Sequence, residues 1–146
     1  MKIVKYSKRV FEKVAPILRE GSHRWGKEWR NEILEVYSKP EGEAYLAVDG
    51  GKIIGTVFLK REVRVLIIYF LAVTKKERGK GVGSSLVKFA EGIAKREGRV
   101  LRVDVAREFE RNGKFYARFG FKRCGRVHNF YMDGDEQIFL CKNPRR

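Results

Sequence analysis

The chain has one glutamine, two histidines, two cysteines and three prolines among 146 residues. Each scarcity excludes something. His23 and His128 have no third ligand nearby in sequence, so no metal is expected. Cys124 and Cys141 lie far apart and lack metal-ligand spacing, and they read as buried free thiols rather than a disulfide. No run of about 18 uninterrupted apolar residues exists, which argues against a transmembrane helix. The segment Met1–Tyr6 has neither a long apolar stretch nor a small-residue cleavage site, so no signal peptide is expected. A cytoplasmic location follows by default. Internal repeats and low-complexity tracts are also missing.

Acids are scarce too. Lys plus Arg number 33 against 18 Asp plus Glu, a net charge of +15. Such a field attracts polyanions. Nucleic acid is one class, but the chain has no zinc-finger spacing, helix-turn-helix pattern or aromatic-rich RNA-binding signature. Charged residues make up 35% of the chain, which together with the single glutamine fits a heat-adapted surface laced with ion pairs. Apolar residues, at 43%, suffice for one packed core, and the length argues for one domain.

Periodicity gives the elements. A short strand spans Lys2 to Tyr6, and Ser7 caps a helix through Phe11, Val14 and Leu18. Pro16 is expected to kink that helix or start its second piece. A second helix runs from about Ser22 to Tyr37, with Trp25, Trp29, Ile33 and Tyr37 four residues apart. Strands Ala44–Val48 and Lys52–Lys60 are joined by Asp49-Gly50-Gly51, a hairpin signal. A buried strand follows, about Val63 to Val73. Val82, Leu86, Phe89, Ala90 and Ile93 mark one face of a helix that ends near Glu97, with Gly98 as its stop. Val100–Val105 is a strand, and a short helix carries Phe115, Tyr116 and Phe119. Two last strands, about Phe121–Met132 and Glu136–Lys142, turn through Asp133-Gly134-Asp135. The order predicts a mixed α/β domain with helices packed on a largely antiparallel sheet.

Between Val73 and Val82 lies Thr74-Lys75-Lys76-Glu77-Arg78-Gly79-Lys80-Gly81. Glycines at 79, 81 and 83 let the backbone turn tightly and approach a ligand closely. The helix that starts there offers free N–H groups and a dipole that favours an anion such as pyrophosphate. Arg78 and Lys80 add charge. The alternative is an ordinary strand-to-helix turn with solvated basic residues. Neither a Walker A ending nor a dinucleotide fingerprint fits.

Leu71-Ala72-Val73, then Arg78-x-x-Gly81-x-Gly83, resembles the acyl-CoA-binding core of the GNAT superfamily of N-acetyltransferases. Phe115-Tyr116-x-x-x-Gly120-Phe121 resembles that family's next landmark, and the strand order agrees over nearly the whole chain. The resemblance implies one acyl-CoA N-acyltransferase domain over residues 1–146, with acetyl-CoA as co-substrate and no metal. Its central strand pair is expected to splay. Backbone groups of Leu71, Ala72 and Val73 would bind the pantetheine arm, and amides of Arg78, Gly79, Lys80, Gly81, Val82, Gly83 and Ser84 would cradle the pyrophosphate.

The implied reaction is direct attack of a primary amine on the acetyl thioester. The Val73 N–H would stabilise the oxyanion, and Tyr116 would be the general acid. The other reading of Tyr116 is a core aromatic. Asp104 falls where some relatives that acetylate protein N-termini place their base, and its other reading is a salt bridge with Arg102. Glu62, Glu108, Glu110 and a water chain are the remaining base candidates. Asn112 is read either as a contact to the cofactor arm or as the cap of the short helix.

For the acceptor, the resemblance points to Trp25 and Trp29 on the second helix and to Tyr131 near the end. Packing is the alternative for all three. A protein N-terminus, a lysine or a small amine would be acetylated, by a monomer or homodimer with no membrane partner. A nucleic-acid- or ribosome-associated binding protein and a non-catalytic acyl-CoA sensor are the alternatives.

Overall fold

Period-two apolar runs become strands and 3.6-period stretches become helices in the structure, a computed structural model. It describes residues 1–22, 26–39, 42–106, 110–130 and 133–144. In chain order the elements are β1 (Lys2–Lys5), α1 (Phe11–Ser22), α2 (Lys27–Ser38), β2 (Glu43–Asp49), β3 (Lys52–Arg61) and β4 (Val65–Val73). Then come α3 (Val82–Glu97), β5 (Val100–Ala106), α4 (Glu110–Ala117), β6 (Lys122–His128) and β7 (Glu136–Lys142). The strands form one seven-stranded sheet in the order β1-β2-β3-β4-β5-β7-β6. Neighbours β1/β2, β2/β3, β5/β7 and β6/β7 are antiparallel, and β4/β5 is parallel. This is the mixed, largely antiparallel class expected. Among the described residues, no helix is long and apolar enough to cross a membrane.

The residues group into two compact units. The first holds Met1–Lys60 and Tyr69–Ala90, the second Arg61–Ile68 and Glu91–Arg146.

In the first unit, Val14, Ile17 and Leu18 of α1 share a buried cluster with Ile33, Tyr37 and Phe58. Each such side chain contributes about 1.5–3 kcal/mol by leaving water. That packing carries α1 through Pro16 as one helix, so no second piece begins there. Ser22 closes α1, its Oγ donating to the Leu18 carbonyl at 2.6 Å, so it belongs to this helix and not to the next. Tyr37 is fully buried and its hydroxyl needs a partner. Thr56 Oγ1 lies 2.8 Å away and itself donates to the Tyr45 carbonyl, which leaves Tyr37 as donor. Two glycines set helix-to-sheet distances. A Cβ at Gly21 would stand 2.7 Å from the Ala72 Cβ, and one at Gly55 would stand 3.1 Å from Val82 Cγ1. At Gly21 something would have to shift, and at Gly55 the neighbours would have to give by a few tenths of an ångström, so glycine suits the close approach at both.

In the second unit, β4 and β5 keep parallel register from Val65↔Val100 to Ile68↔Val103. Among the described residues the register goes no further, although β4 runs on to Val73 and β5 continues against β7 to Ala106↔Gln137. Arg61 grips Glu97 through Nε and Nη2, each at 2.8 Å, and Arg99 Nε adds a third contact at 2.8 Å. The hydrogen bond from Arg61 leads in holding the Glu97 carboxyl down at about 2. Arg99 also donates to the Glu62 carbonyl. These contacts are one of the ion-pair networks that the composition suggested.

Two expectations fail here. Cys124 and Cys141 are joined in a disulfide, with 5.9 Å between their Cα atoms. They are not buried thiols: Cys124 is exposed and Cys141 half-buried. Sequence distance hid the pairing, because the β6/β7 hairpin folds the two positions together. A register shift between Arg123 and Gly125 leaves Cys124 outside the ladder beside its partner. The second failure is the length of β6, which ends at His128 instead of reaching Met132. Asn129 takes φ 54°, and its side chain accepts from the Gly134 N–H at 2.8 Å while Asp135 accepts from the Phe130 N–H at 2.7 Å. These side-chain bonds to backbone turn the chain early.

Candidate active site

The first unit contains the glycine loop. Ala72 faces α1, while Leu71 and Val73 are half-buried on the other face of β4. The last peptide of β4 is held at both ends. The Thr74 N–H donates to the Ile54 carbonyl at 2.9 Å, and the Val73 carbonyl accepts from Arg78 Nε at 3.1 Å. A short 3-10 turn, Lys75–Glu77, leads into the loop. The Arg78 N–H closes it by donating to the Lys75 carbonyl.

Gly79 and Gly81 then adopt φ of +78° and +89°, which L-residues disfavour. Gly83 sits inside the first turn of α3 instead. The first helical bond is from Ser85 N–H to the Gly81 carbonyl at 3.0 Å. The N–H groups of Val82, Gly83 and Ser84 precede that bond and have no intrahelical acceptor. Lys80 is exposed at the loop tip, with Nζ 3.5 Å from Glu77. The start of α3 thus has three N–H groups without intrahelical acceptors, a helix dipole and a neighbouring lysine, a combination that suits an anion.

Trp29 packs its ring on Tyr69 at 5.5 Å and lies against the buried cluster of this unit. The Tyr69 hydroxyl donates to Glu32 at 2.7 Å, and Lys60 Nζ lies 3.6 Å over the Tyr69 ring. Nothing in the sequence pattern joined these residues, since α2, β3 and β4 meet only through tertiary packing.

The second unit carries Asp104 and Tyr116. Leu101, Val103 and Val105 are buried on one face of β5. On the other face Arg102 Nε donates to Asp104 Oδ1 at 3.0 Å. Burial nevertheless pushes the Asp104 carboxyl above its usual range, against the opposing pull of Arg102. Tyr116 is buried on α4, edge-on to Phe115 at 5.0 Å and to Phe121 at 5.4 Å. Among the described residues its hydroxyl has no hydrogen-bond partner. Burial raises the phenol above its ordinary 10. Asn112 is the third residue of α4 and exposed, so it is not the helix cap that one reading made it.

Trp25, Tyr131, Glu108 and the side chain of Glu110 lie outside the described residues. Glu62 lies in the turn before β4, where its carbonyl accepts from Val65 N–H at 3.4 Å.

The family model described as Acetyltransferase (GNAT) family matches residues 9–121. The chain belongs to this family. Among its relatives is N-alpha-acetyltransferase 30 of Schizosaccharomyces pombe, 30% identical over 109 residues, or 69% of this chain and 71% of the relative. The fold matches a GNAT-family acetyltransferase of Desulfovibrio desulfuricans with a TM-score of 0.86, at 17% identity over 98% of each chain. It also matches a GNAT acetyltransferase of Elizabethkingia anophelis, solved with acetyl-CoA bound, at a TM-score of 0.77 and 20% identity over 97% of each chain. GNAT membership makes the chain a transferase of the acetyltransferase class.

Proposed function

We propose that this GNAT chain is one N-acetyltransferase domain that moves the acetyl group of acetyl-CoA to a primary amine, with a protein N-terminus as the leading acceptor class. The observation that carries the donor is the loop: Gly79 and Gly81 at positive φ, followed at the start of α3 by three N–H groups that precede the first helical bond. A pyrophosphate matches that arrangement in charge and in hydrogen bonding. The pantetheine arm would lie along the backbone of Leu71–Val73. The relative named N-alpha-acetyltransferase 30 supports the acceptor class.

The acceptor arrives as an ammonium and must lose a proton before it can attack. Its nitrogen bonds to the acetyl carbon, the carbonyl oxygen becomes an oxyanion facing the Val73 N–H, and the C–S bond then breaks. The nitrogen gives up two protons in all. One goes to solvent, and the other balances the proton that Tyr116 gives to the departing sulfur. A phenol raised above 10 stays protonated at neutral pH, which suits this role. Asp104, half-buried and raised, is the favoured carrier for the amine's proton. The Asp104→Asn pH profile decides: a normal rate with an unchanged basic limb leaves the proton to water.

A thiol-release assay tests the whole reading, with acetyl-CoA and a panel of peptides, polyamines, amino acids and aminoglycosides. We expect turnover with a free peptide N-terminus. No release with any amine would overturn it.

A further inference from the structure

Arg78 looks from the sequence like a phosphate ligand, and its geometry suggests a different task. Its Nε donates to the Val73 carbonyl at 3.1 Å, and its Nη2 donates to Glu20 Oε1 on α1 at 3.2 Å. The peptide bearing that carbonyl is also held by its own N–H, which donates to Ile54 at 2.9 Å. A planar guanidinium with two directed bonds fixes a peptide in a way a lysine point charge cannot.

We infer that Arg78 is a positioning residue, which locks the end of β4 so that Leu71–Val73 present their backbone to the pantetheine arm, with Glu20 anchoring the guanidinium. This rests on the acetyl-CoA reading above. The Val73–Thr74 peptide is the last that β4 contributes before the chain turns away, so its N–H bond to Ile54 and its carbonyl bond to Arg78 hold its two sides. Freed of Arg78, this peptide keeps only its N–H bond to Ile54, and the strand end before it loosens. The two partners of Arg78 sit on α1 and β4, so the loop residue ties together segments distant in sequence.

Two ligands separate positioning from phosphate binding. Acetyl-CoA carries both the nucleotide and the pantetheine arm, whereas 3′-phospho-ADP carries the nucleotide alone. Isothermal titration of both, on wild type, Arg78→Lys and Glu20→Gln, gives the test. For Arg78→Lys we expect acetyl-CoA to bind roughly tenfold more weakly, the scale of one charge-assisted hydrogen bond. Binding of 3′-phospho-ADP should stay within about twofold. Glu20→Gln keeps Arg78 but loosens its anchor, and should weaken acetyl-CoA alone by about twofold to threefold, since exposed ion pairs are weak.

Equal loss of both ligands in Arg78→Lys would make Arg78 a phosphate ligand and overturn the inference. So would unchanged acetyl-CoA binding, or tighter acetyl-CoA binding in Glu20→Gln. Should Arg78→Lys fail to fold, Glu20→Gln decides by the same two ligands. If wild type binds neither ligand, the acetyl-CoA reading itself has failed, and the inference falls with it.

Discussion

The loop from Val73 to Ser84 is distinguished by its backbone, and the stretch from Val100 to Cys141 by its side chains. In the loop the distinguishing parts are two positive-φ glycines and three N–H groups, all set by local geometry. In the second region they are a phenol among aromatic rings, a carboxylate paired with an arginine, and two cysteines joined across a hairpin. A backbone site needs only the right dihedral angles, and glycine spacing announces those. A side-chain site needs burial and partners, which depend on residues remote in sequence.

The sharpest way to test that contrast is Tyr116→Phe. It removes one oxygen and leaves the packing in place. Turnover should fall on the order of 10²–10³-fold, with acetyl-CoA affinity unchanged. Steady-state kinetics beside a binding titration would read both, and a near-normal kcat would reduce Tyr116 to a core aromatic.

Next in size is the disulfide. Its two cysteines are 17 residues apart, and closing such a loop stabilises by about 3 kcal/mol. Cys124→Ser should therefore lower Tm by roughly 10 °C in non-reducing buffer. In a strong reductant the two proteins should melt together. Equal melting without reductant would mean that the bridge does not stabilise the β6/β7 hairpin.

Gly81→Ala probes the backbone side. A side chain at φ +89° costs about 1–2 kcal/mol, and the loop relieves that strain by moving its N–H groups. Acetyl-CoA should bind roughly tenfold more weakly while kcat holds. A full loss of kcat at normal affinity would blur the division between the two regions.

The smallest effect belongs to Glu97. Its carboxyl is held down at about 2, chiefly by the hydrogen bond from Arg61. The ionised form is thus favoured in the folded chain. Its contribution is complete above the ordinary value of 4.5 and is lost as pH falls toward 2. Glu97→Gln should cost less than about 1 kcal/mol at pH 7, because the carboxylate is part exposed. Thermal melts of the two proteins should converge below pH 4.5, and a gap that grows in acid would contradict the assignment.

The fold was legible because its elements announce themselves locally. Val82–Glu97 and Glu136–Lys142 fall where periodicity put them. Boundaries slipped where side chains bond to backbone, as at Ser22 and Asn129, because hydrophobic pattern carries no record of those bonds. The loop was legible through Gly79 and Gly81. Its arginine was only half so. Charge suggested an anion, while the structure adds two contacts that the pattern does not announce, Val73 five residues back and Glu20 across the tertiary structure. The Cys124–Cys141 bridge was misread for the same reason: a bulge and a hairpin decide it, and spacing does not.

Gly21 has a reach beyond its own position. The methyl it lacks is what lets α1 rest on Ala72, and its neighbour is Glu20, the anchor of Arg78. Anyone grafting this loop onto another scaffold would have to bring along a helix more than fifty residues upstream. The graft would need that helix seated at the same depth, because one added carbon at Gly21 would stand 2.7 Å from the Ala72 Cβ and force the helix or the strand to shift.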